Sequence, residues 1–63
     1  MTVAVAAQRE VEDLVLQLKG LVHVRALLET RGASAAELDA HSDEIARVRA
    51  ELADLVRELD TAA

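Results

Sequence analysis

Apolar residues recur along this chain in alternating steps of three and four positions, in two runs that mirror each other. This spacing places the residues on one side of an α-helix, as in a coiled-coil core. Each position of the first run pairs with one of the second, and the numbers of every pair add up to 66. The pairs, here called the seam, are Ala4/Ala62, Ala7/Leu59, Val11/Leu55, Leu14/Leu52, Leu18/Val48, Leu21/Ile45, Arg25/His41 and Leu28/Leu38. A constant sum predicts two antiparallel helices folded about one midpoint.

The residues between the two runs predict where one helix ends and the next begins. Gly32 can adopt the left-handed conformation that closes a helix, and the cation of Arg31 suits the negative end of a helix. Ser34 and Glu37 have the spacing of a capping box, in which each side chain satisfies a free backbone donor. The second helix is therefore expected to begin directly after Ser34.

These signals predict one all-α domain over residues 1–63, an antiparallel two-helix hairpin with a coiled-coil-like seam. Thr2 can cap the first helix. So short a connection makes the helices antiparallel neighbours. The expected bounds are about 3–30 for helix 1, about 31–34 for the loop and about 35–60 for helix 2, with Thr61, Ala62 and Ala63 frayed.

The composition limits how such a hairpin can be stabilised. The chain is 52% hydrophobic but contains no Phe, Tyr or Trp, so leucine, valine and alanine must form its core. A chain of 63 residues buries only about 60% of its unfolded surface, which leaves little net stability. Cysteine is absent, so disulfides cannot add to it. We therefore expect oligomerisation, as a four-helix bundle or a higher helical oligomer.

The two helices differ in how their apolar residues are distributed. Helix 2 has a single apolar side, whereas Val15 and Val22 broaden the seam of helix 1, and a second stripe lies nearly opposite. Residues 1–31 carry four acids and four bases, and residues 32–63 carry eight acids and three bases, which gives the net charge of −5. A neutral helix that is apolar on two sides is expected to face partners. The predicted protein interface comprises Val15, Leu16, Gly20, Val22, His23, Val24 and Leu27; the second stripe is Leu16, Gly20, His23, Val24 and Leu27.

One seam pair, Arg25 and His41, forms a polar layer close to the loop. Two donors in one layer can bind a carboxylate such as Glu29 or Glu44, fix the register of the helices, or make association depend on pH through the imidazole. In the alternative reading, Arg25 extends its charged head to solvent over its aliphatic stem and His41 lies at the bundle edge.

The sequence gives little basis for catalysis or for a cofactor. Glu37, His41 and Glu44 share a helix face, but di-iron bundles use Glu-x-x-His, and here His41 precedes Glu44. Ser34 is explained as a cap, and Ser42 is adjacent to His41, from which it points about 100° away. We expect no metal, no cofactor and no enzymatic activity.

Charge and hydropathy bear on partners and location. A net charge of −5 makes nucleic-acid binding unexpected, since that requires clustered Lys and Arg. No run approaches 18 uncharged apolar residues, and the first seven residues lack a basic region, so neither a membrane span nor a secretory signal is predicted. We expect a cytoplasmic protein. Six arginines against one lysine, with thirteen alanines, favour a GC-rich bacterial genome.

In its length and its two helices joined by a short loop, the chain resembles ROP, the plasmid RNA-binding protein whose hairpins dimerise into a four-helix bundle. The resemblance implies a bundle architecture. ROP-type RNA recognition uses polar and basic residues with an aromatic on one exposed face, and this chain has no aromatic residue. No residue role is carried over.

Together these patterns predict a non-catalytic assembly module that forms homo-oligomers, in the simplest case a dimer, through helix 1. The same helix is expected to be able to dock a larger protein client. Two alternatives stay open. One is a small accessory or regulatory subunit of an enzyme or toxin that orders on binding its client. The other is a ROP-like nucleic-acid regulator, which the net charge and the lack of aromatics disfavour.

Overall fold

The computed structural model describes residues 3–62 of the chain, and side chains over 5–61. Helix α1 spans Val3–Thr30 and helix α2 spans Ala35–Ala62, and the two pack against each other as an antiparallel hairpin. The hairpin measures 46 × 15 × 12 Å. The predicted all-α hairpin is thus confirmed. The expected cap Thr2 lies outside the described residues, as do the side chains of the outermost seam pair, Ala4 and Ala62.

The core of the hairpin follows the seam. Every seam residue from position 7 to position 59 is buried or half-buried. Val48 is fully buried and Ile45 is 8% exposed, and both lie in the middle of α2. Only four other residues within 5–61 are half-buried, namely Val15, Ala33, Ser42 and Glu44. The three-and-four spacing therefore identifies almost the whole set of residues that the hairpin shields from water.

Helix α1 ends in a Schellman motif at Gly32. The backbone N–H of Gly32 donates to the carbonyl of Glu29 at 3.1 Å, and that of Ala33 donates to the carbonyl of Leu28 at 2.9 Å. Gly32 has a φ of +79°, in the left-handed region that a residue with a Cβ enters only at a cost. The glycine therefore closes α1 as the sequence predicts.

Helix α2 begins with half of the predicted capping box. The Oγ of Ser34 accepts a hydrogen bond from the backbone N–H of Glu37 at 3.2 Å, as expected of an N-cap. The expectation for Glu37 is wrong, because its carboxylate does not reach back to the backbone of Ser34. It accepts instead from the Ser34 hydroxyl at 3.3 Å, which leaves the serine as both donor and acceptor in the cap.

Helix α2 also continues two residues beyond its predicted end at 60. Thr61 and Ala62, which were expected to fray, belong to the helix. No glycine or proline interrupts the last turns, and the Thr61 hydroxyl donates to the backbone carbonyl of Arg57 at 2.8 Å. That bond occupies a hydroxyl that would otherwise compete for backbone groups outside the helix.

The hairpin exposes more surface than a compact protein of its mass. Its accessible area is 4744 Å², whereas a compact monomer of 6.8 kDa exposes about 4,000 Å². The excess, about a fifth of the accessible area of a compact protein, arises because two helices that lie side by side shield only the surfaces along which they touch. A single hairpin of this shape has a core made mainly of half-buried side chains.

Candidate interaction surface

The hairpin presents two flanks, one on each side of the seam, and the sequence assigns different residues to them. On the first flank, each residue comes directly after a seam residue in the sequence, as Val15 comes after Leu14. On the second flank, each residue comes directly before a seam residue, as Val24 comes before Arg25. Positions seven apart lie two helical turns apart on the same side. The flank of any residue can therefore be read from its place relative to the seam.

Two shallow depressions lie on the first flank and repeat after seven residues. Val11, Glu12, Val15 and Leu16 line the first depression. The second is lined by the four positions seven further on, Leu18, Lys19, Val22 and His23, together with Ala26 and, from α2, Arg49. Both are open to solvent, and their floors are the aliphatic side chains of the seam and of the positions beside it.

Helix α2 contributes an apolar residue to the same flank. Arg49 lines the second depression, so Val56, seven residues later, lies on this side too. By the same repeat, Val5 lies on the side of Glu12. Val5, Val22 and Val56 are each 45% exposed, and Val15 is half-buried. We call these four residues, Val5, Val15, Val22 and Val56, the valine face.

The valine face contains only part of the predicted interface. Val15 and Val22 belong to it, and Leu16 and His23 line the outer edges of its depressions. The face also contains Val5 and Val56, which the predicted interface omits. Val56 could have been found from the sequence, because it follows the seam residue Leu55 as Val15 follows Leu14.

The other predicted interface residues lie elsewhere on α1. Val24, Gly20 and Leu27 each precede a seam residue and lie on the second flank, Gly20 and Leu27 toward the outer side of the helix; all three are exposed. A Cβ added to Gly20 would meet nothing within 4 Å. No backbone within the hairpin therefore approaches this glycine closely, and the hairpin itself does not explain its presence in the middle of a helix.

The predicted polar layer makes a contact between the helices, but with a residue that the sequence did not indicate. The Nε of Arg25 donates to the Oγ of Ser42 on α2 at 2.8 Å. Its Nη1 donates to Glu29 at 3.3 Å, forming an ion pair one turn along α1. Of the two carboxylates considered for this layer, Glu29 binds Arg25 and Glu44 binds Arg47 instead. His41 is half-buried.

The second flank is acidic. Each glutamate of α2 on this side precedes a seam residue and repeats every seven positions: Glu37, Glu44, Glu51 and Glu58, here called the glutamate row. Arg47 forms ion pairs with Glu44 and with Glu51. The hydrogen bond and the charge of Glu44, and then the charge of Glu51, raise the pKa of Arg47 above its ordinary value. One arginine thus neutralises part of the row and leaves it with a net negative charge.

Two further features concern metals and membranes. Within the described residues, no three His, Asp or Glu side chains are close enough together to hold a metal ion. Neither described helix is long and apolar enough to cross a membrane.

Comparison of the chain with protein-family models, with curated proteins and with solved structures finds no match. The functional argument therefore rests on the hairpin's own geometry.

Proposed function

We propose that this chain is a non-catalytic association module that forms a homodimer, a four-helix bundle in which two hairpins join through their valine faces. The observation that supports the proposal is that the interior of the hairpin buries few apolar side chains, whereas one flank exposes several. Among the described residues, only Ile45 and Val48 are buried hydrophobics, while three half-exposed valines and two aliphatic depressions lie on one flank. A second copy placed there covers aliphatic surface that the hairpin leaves in water.

The size of the face suits a stable dimer. The flank that carries the valine face measures 46 by 15 Å, a footprint of about 700 Å² on each copy, so two copies that meet over the whole flank bury about 1,400 Å² in total. Specific interfaces commonly bury about 1,200–2,000 Å². The flank that carries the valine face is therefore large enough to hold two hairpins together when they meet over most of its length.

The outer side of α1 supports a second role for the same module, the docking of a larger protein client. Leu16 is 66% exposed, and Leu27 is also exposed. Gly20 lies between them with open space above it, where another backbone can approach closely. These residues of the second stripe point away from the valine face, so a dimer keeps them accessible to a further copy or to a client.

The test of the dimer is its mass in solution. Light scattering coupled to size exclusion is expected to give twice the chain mass at micromolar concentration, and the melting temperature is expected to rise with concentration, because association stabilises the folded state by mass action. A single molecular mass equal to one chain, with a melting temperature independent of concentration, would contradict the proposal.

Two matched substitutions test which flank is used. Val22 and Val24 lie two residues apart in α1 and are 45% and 41% exposed, but only Val22 is on the valine face. Asparagine has nearly the same helix propensity as valine and is uncharged, so either substitution leaves the helix propensity and the net charge nearly unchanged. Val22→Asn is expected to raise the dimer dissociation constant at least about tenfold, because each copy buries an amide, and Val24→Asn is expected to leave it nearly unchanged. The reverse order would place the interface on the glutamate flank.

The alternative of an accessory subunit has one observation in its favour, the small core. If the chain orders only on a client, it is expected to show little helicity alone at micromolar concentration and to gain it when the client is added. A chain that is fully helical by itself would argue for the assembly module.

A further inference from the structure

The whole net charge of the chain lies in one half of the hairpin. Because seam pairs add up to 66, position 16 of α1 is level with position 50 of α2. The half away from the loop, residues 3–16 and 50–62, contains seven acids and two bases, a net charge of −5. Residues 17–49 contain five acids and five bases and are neutral. The hairpin therefore has an acidic half, here called the open half, and a neutral half, here called the loop half.

Most of the acids of the open half lie on the second flank, beside the glutamate row. Five of the seven precede a seam residue, namely Glu10, Asp13, Glu51, Asp54 and Glu58. Glu51 is paired with Arg47, and Asp54 is paired with Arg57. Within the described residues, the other three form no ion pair. These three, Glu10, Asp13 and Glu58, are here called the free carboxylates, and they come from both helices.

The loop half of the second flank is apolar on α1 and balanced in charge. Val24 and Leu27 are 41% and 43% exposed, and a Cβ added to Gly20 beside them would meet nothing within 4 Å. Two acids and two bases lie on this half of the flank, namely Arg31, Glu37, Glu44 and Arg47. Glu44 is paired with Arg47, and Glu37 accepts from the Ser34 hydroxyl. The second flank thus has an apolar half and an acidic half.

Resting on the proposed docking of a client on α1, we infer that the client is a different protein that presents an amphipathic helix with basic residues in one half. This helix packs lengthwise on the second flank. Its apolar side covers Gly20, Val24 and Leu27, and its basic half lies beside the free carboxylates. Lysines or arginines placed there supply the opposite charge that the hairpin itself does not supply to these carboxylates.

The shape of the second flank suits a helix. Gly20, Val24 and Leu27 are spaced by four and three positions, the spacing at which the side chains of two helices interdigitate. Without a side chain at position 20, the backbone of the client can come closer to α1. Leu27 and Glu10 are 17 positions apart, which is about 25 Å along a helix. A client helix of about 18 residues therefore reaches from the apolar half to the free carboxylates.

A further copy of this chain is a poorer occupant of the second flank. Neither α1 nor α2 contains more bases than acids, so neither offers a helix with an excess of positive charge. Each copy also carries a net charge of −5, which opposes its approach to the acidic half of another copy. A basic helix from a different protein is attracted to the same surface.

Two synthetic peptides test the inference. The probe is a dye-labelled peptide of about 18 residues, with leucines at steps of three and four positions and three lysines confined to one half. In the second peptide, glutamines replace the three lysines. Fluorescence anisotropy measures the binding of both peptides to the full chain. The lysine peptide is expected to bind about tenfold more tightly at low salt and to lose this advantage at high salt, because salt screens exposed ion pairs.

Variants of the chain test where the peptide binds. Glu10→Gln with Glu58→Gln moves the net charge from −5 to −3 and is expected to weaken binding of the lysine peptide about fivefold. Asp39→Asn with Asp43→Asn makes the same change of charge in the loop half, away from the second flank, and is expected to leave binding within about twofold. Leu27→Asn is expected to weaken both peptides about tenfold. Circular dichroism checks that every variant stays helical.

The outcomes separate the inference from the proposed docking. If the glutamine peptide binds as tightly as the lysine peptide and Leu27→Asn weakens both, the docking surface stands and the basic chemistry of the client is wrong. The inference is also wrong if the two pairs of charge variants weaken the lysine peptide equally, because net charge alone then explains the attraction. If neither peptide binds, or if Leu27→Asn changes nothing, docking on α1 fails and the inference fails with it.

Sedimentation of the complexes separates this surface from the valine face. The lysine peptide is expected to bind one per chain and to leave the mass of the chain assembly unchanged. If the peptide splits a dimer into single chains, it occupies the valine face and the inference is overturned. It is overturned equally if the chain alone forms species larger than a dimer that Leu27→Asn removes, because a further copy then covers the second flank. A chain that is a monomer at every concentration contradicts only the proposed dimer.

Discussion

Replacing Val48 or Val56 with alanine removes the same two methyl groups from α2, and the hairpin predicts how the two costs compare. Val48 is fully buried, whereas Val56 is 45% exposed. Each buried methyl group contributes about 0.8 kcal/mol, so Val48→Ala is expected to cost about 1.6 kcal/mol, plus a term for the cavity that remains. In a single hairpin, Val56→Ala is expected to cost about half as much, because nearly half of this side chain already contacts water.

Dimerisation changes the second cost and leaves the first unchanged. A second copy on the valine face covers Val56, so the cost of Val56→Ala per chain is expected to approach that of Val48→Ala once the dimer is populated. Urea unfolding, followed by circular dichroism at protein concentrations from below to above the dissociation constant, measures both costs. The ratio of the two is expected to rise from about one half toward one.

A third substitution provides the control. Val24 is 41% exposed, like Val56, but lies on the flank of the glutamate row. The cost of Val24→Ala is expected to be independent of concentration. If the ratio for Val56 stays near one half even where the measured mass is that of a dimer, the valine face is not the interface, and the reasoning from exposure to association is refuted.

The remaining predictions concern the two glycines. Gly32→Ala is expected to lower the free energy of unfolding by about 1 kcal/mol, because the alanine must adopt a φ of +79° although its Cβ has open space, and Gly32→Asn is expected to cost less; thermal melts that show no loss for alanine would contradict the strained cap. Gly20→Ala is expected to stabilise the hairpin by up to about 1 kcal/mol, since the added Cβ meets nothing. A Gly20→Ala variant that is less stable than the original only at high concentration would instead show that a second copy reaches this position.

The helices and the seam were predictable because each depends on local spacing. Three-and-four steps define a helix side, and the constant sum then fixes which positions are level across the hairpin. The sum is sensitive to register, since a shift of one turn would place Arg25 opposite an apolar residue. Gly32 and Ser34 locate the turn independently. The apolar pattern and the turn residues indicate the same structure, and the fold could therefore be predicted from the sequence.

The apolar flank was harder to predict, because the constant sum of 66 relates only the positions that lie within the seam. Valines occur on both flanks of α1, at Val22 and at Val24. The difference between the flanks comes from α2, which adds Val56 to one and glutamates such as Glu51 to the other. Only when both helices are placed side by side does one flank become apolar and the other acidic.

The hydrogen-bond partner of Arg25 shows a second limit of prediction from the sequence. A long side chain can reach several acceptors, and the sequence suggested carboxylates at Glu29 and Glu44. Glu29 is an i+4 neighbour on the same helix and does bind Arg25. Ser42 follows the seam residue His41 and so lies on the flank of Glu29, where its hydroxyl accepts from the Nε of Arg25. Which acceptor a guanidinium selects depends on the direction of its planar fork, which spacing alone does not determine.

The unequal flanks also determine how far association can proceed. A hairpin with two apolar flanks could bind a copy on each side, and the assembly could then grow without limit, because every added copy would leave one apolar flank uncovered. In the proposed two-fold dimer, the valine face of each copy is covered by the other copy. The glutamate row then faces outward from each copy, and the dimer carries twice the formal charge of −5, or −10. Like charge of this size keeps dimers apart in solution. If the hairpin dimerises as proposed, the glutamates placed every seven residues on one flank of α2 are expected to limit the assembly to two copies, and the side of α1 around Gly20 and Leu27 is expected to stay available to a different protein.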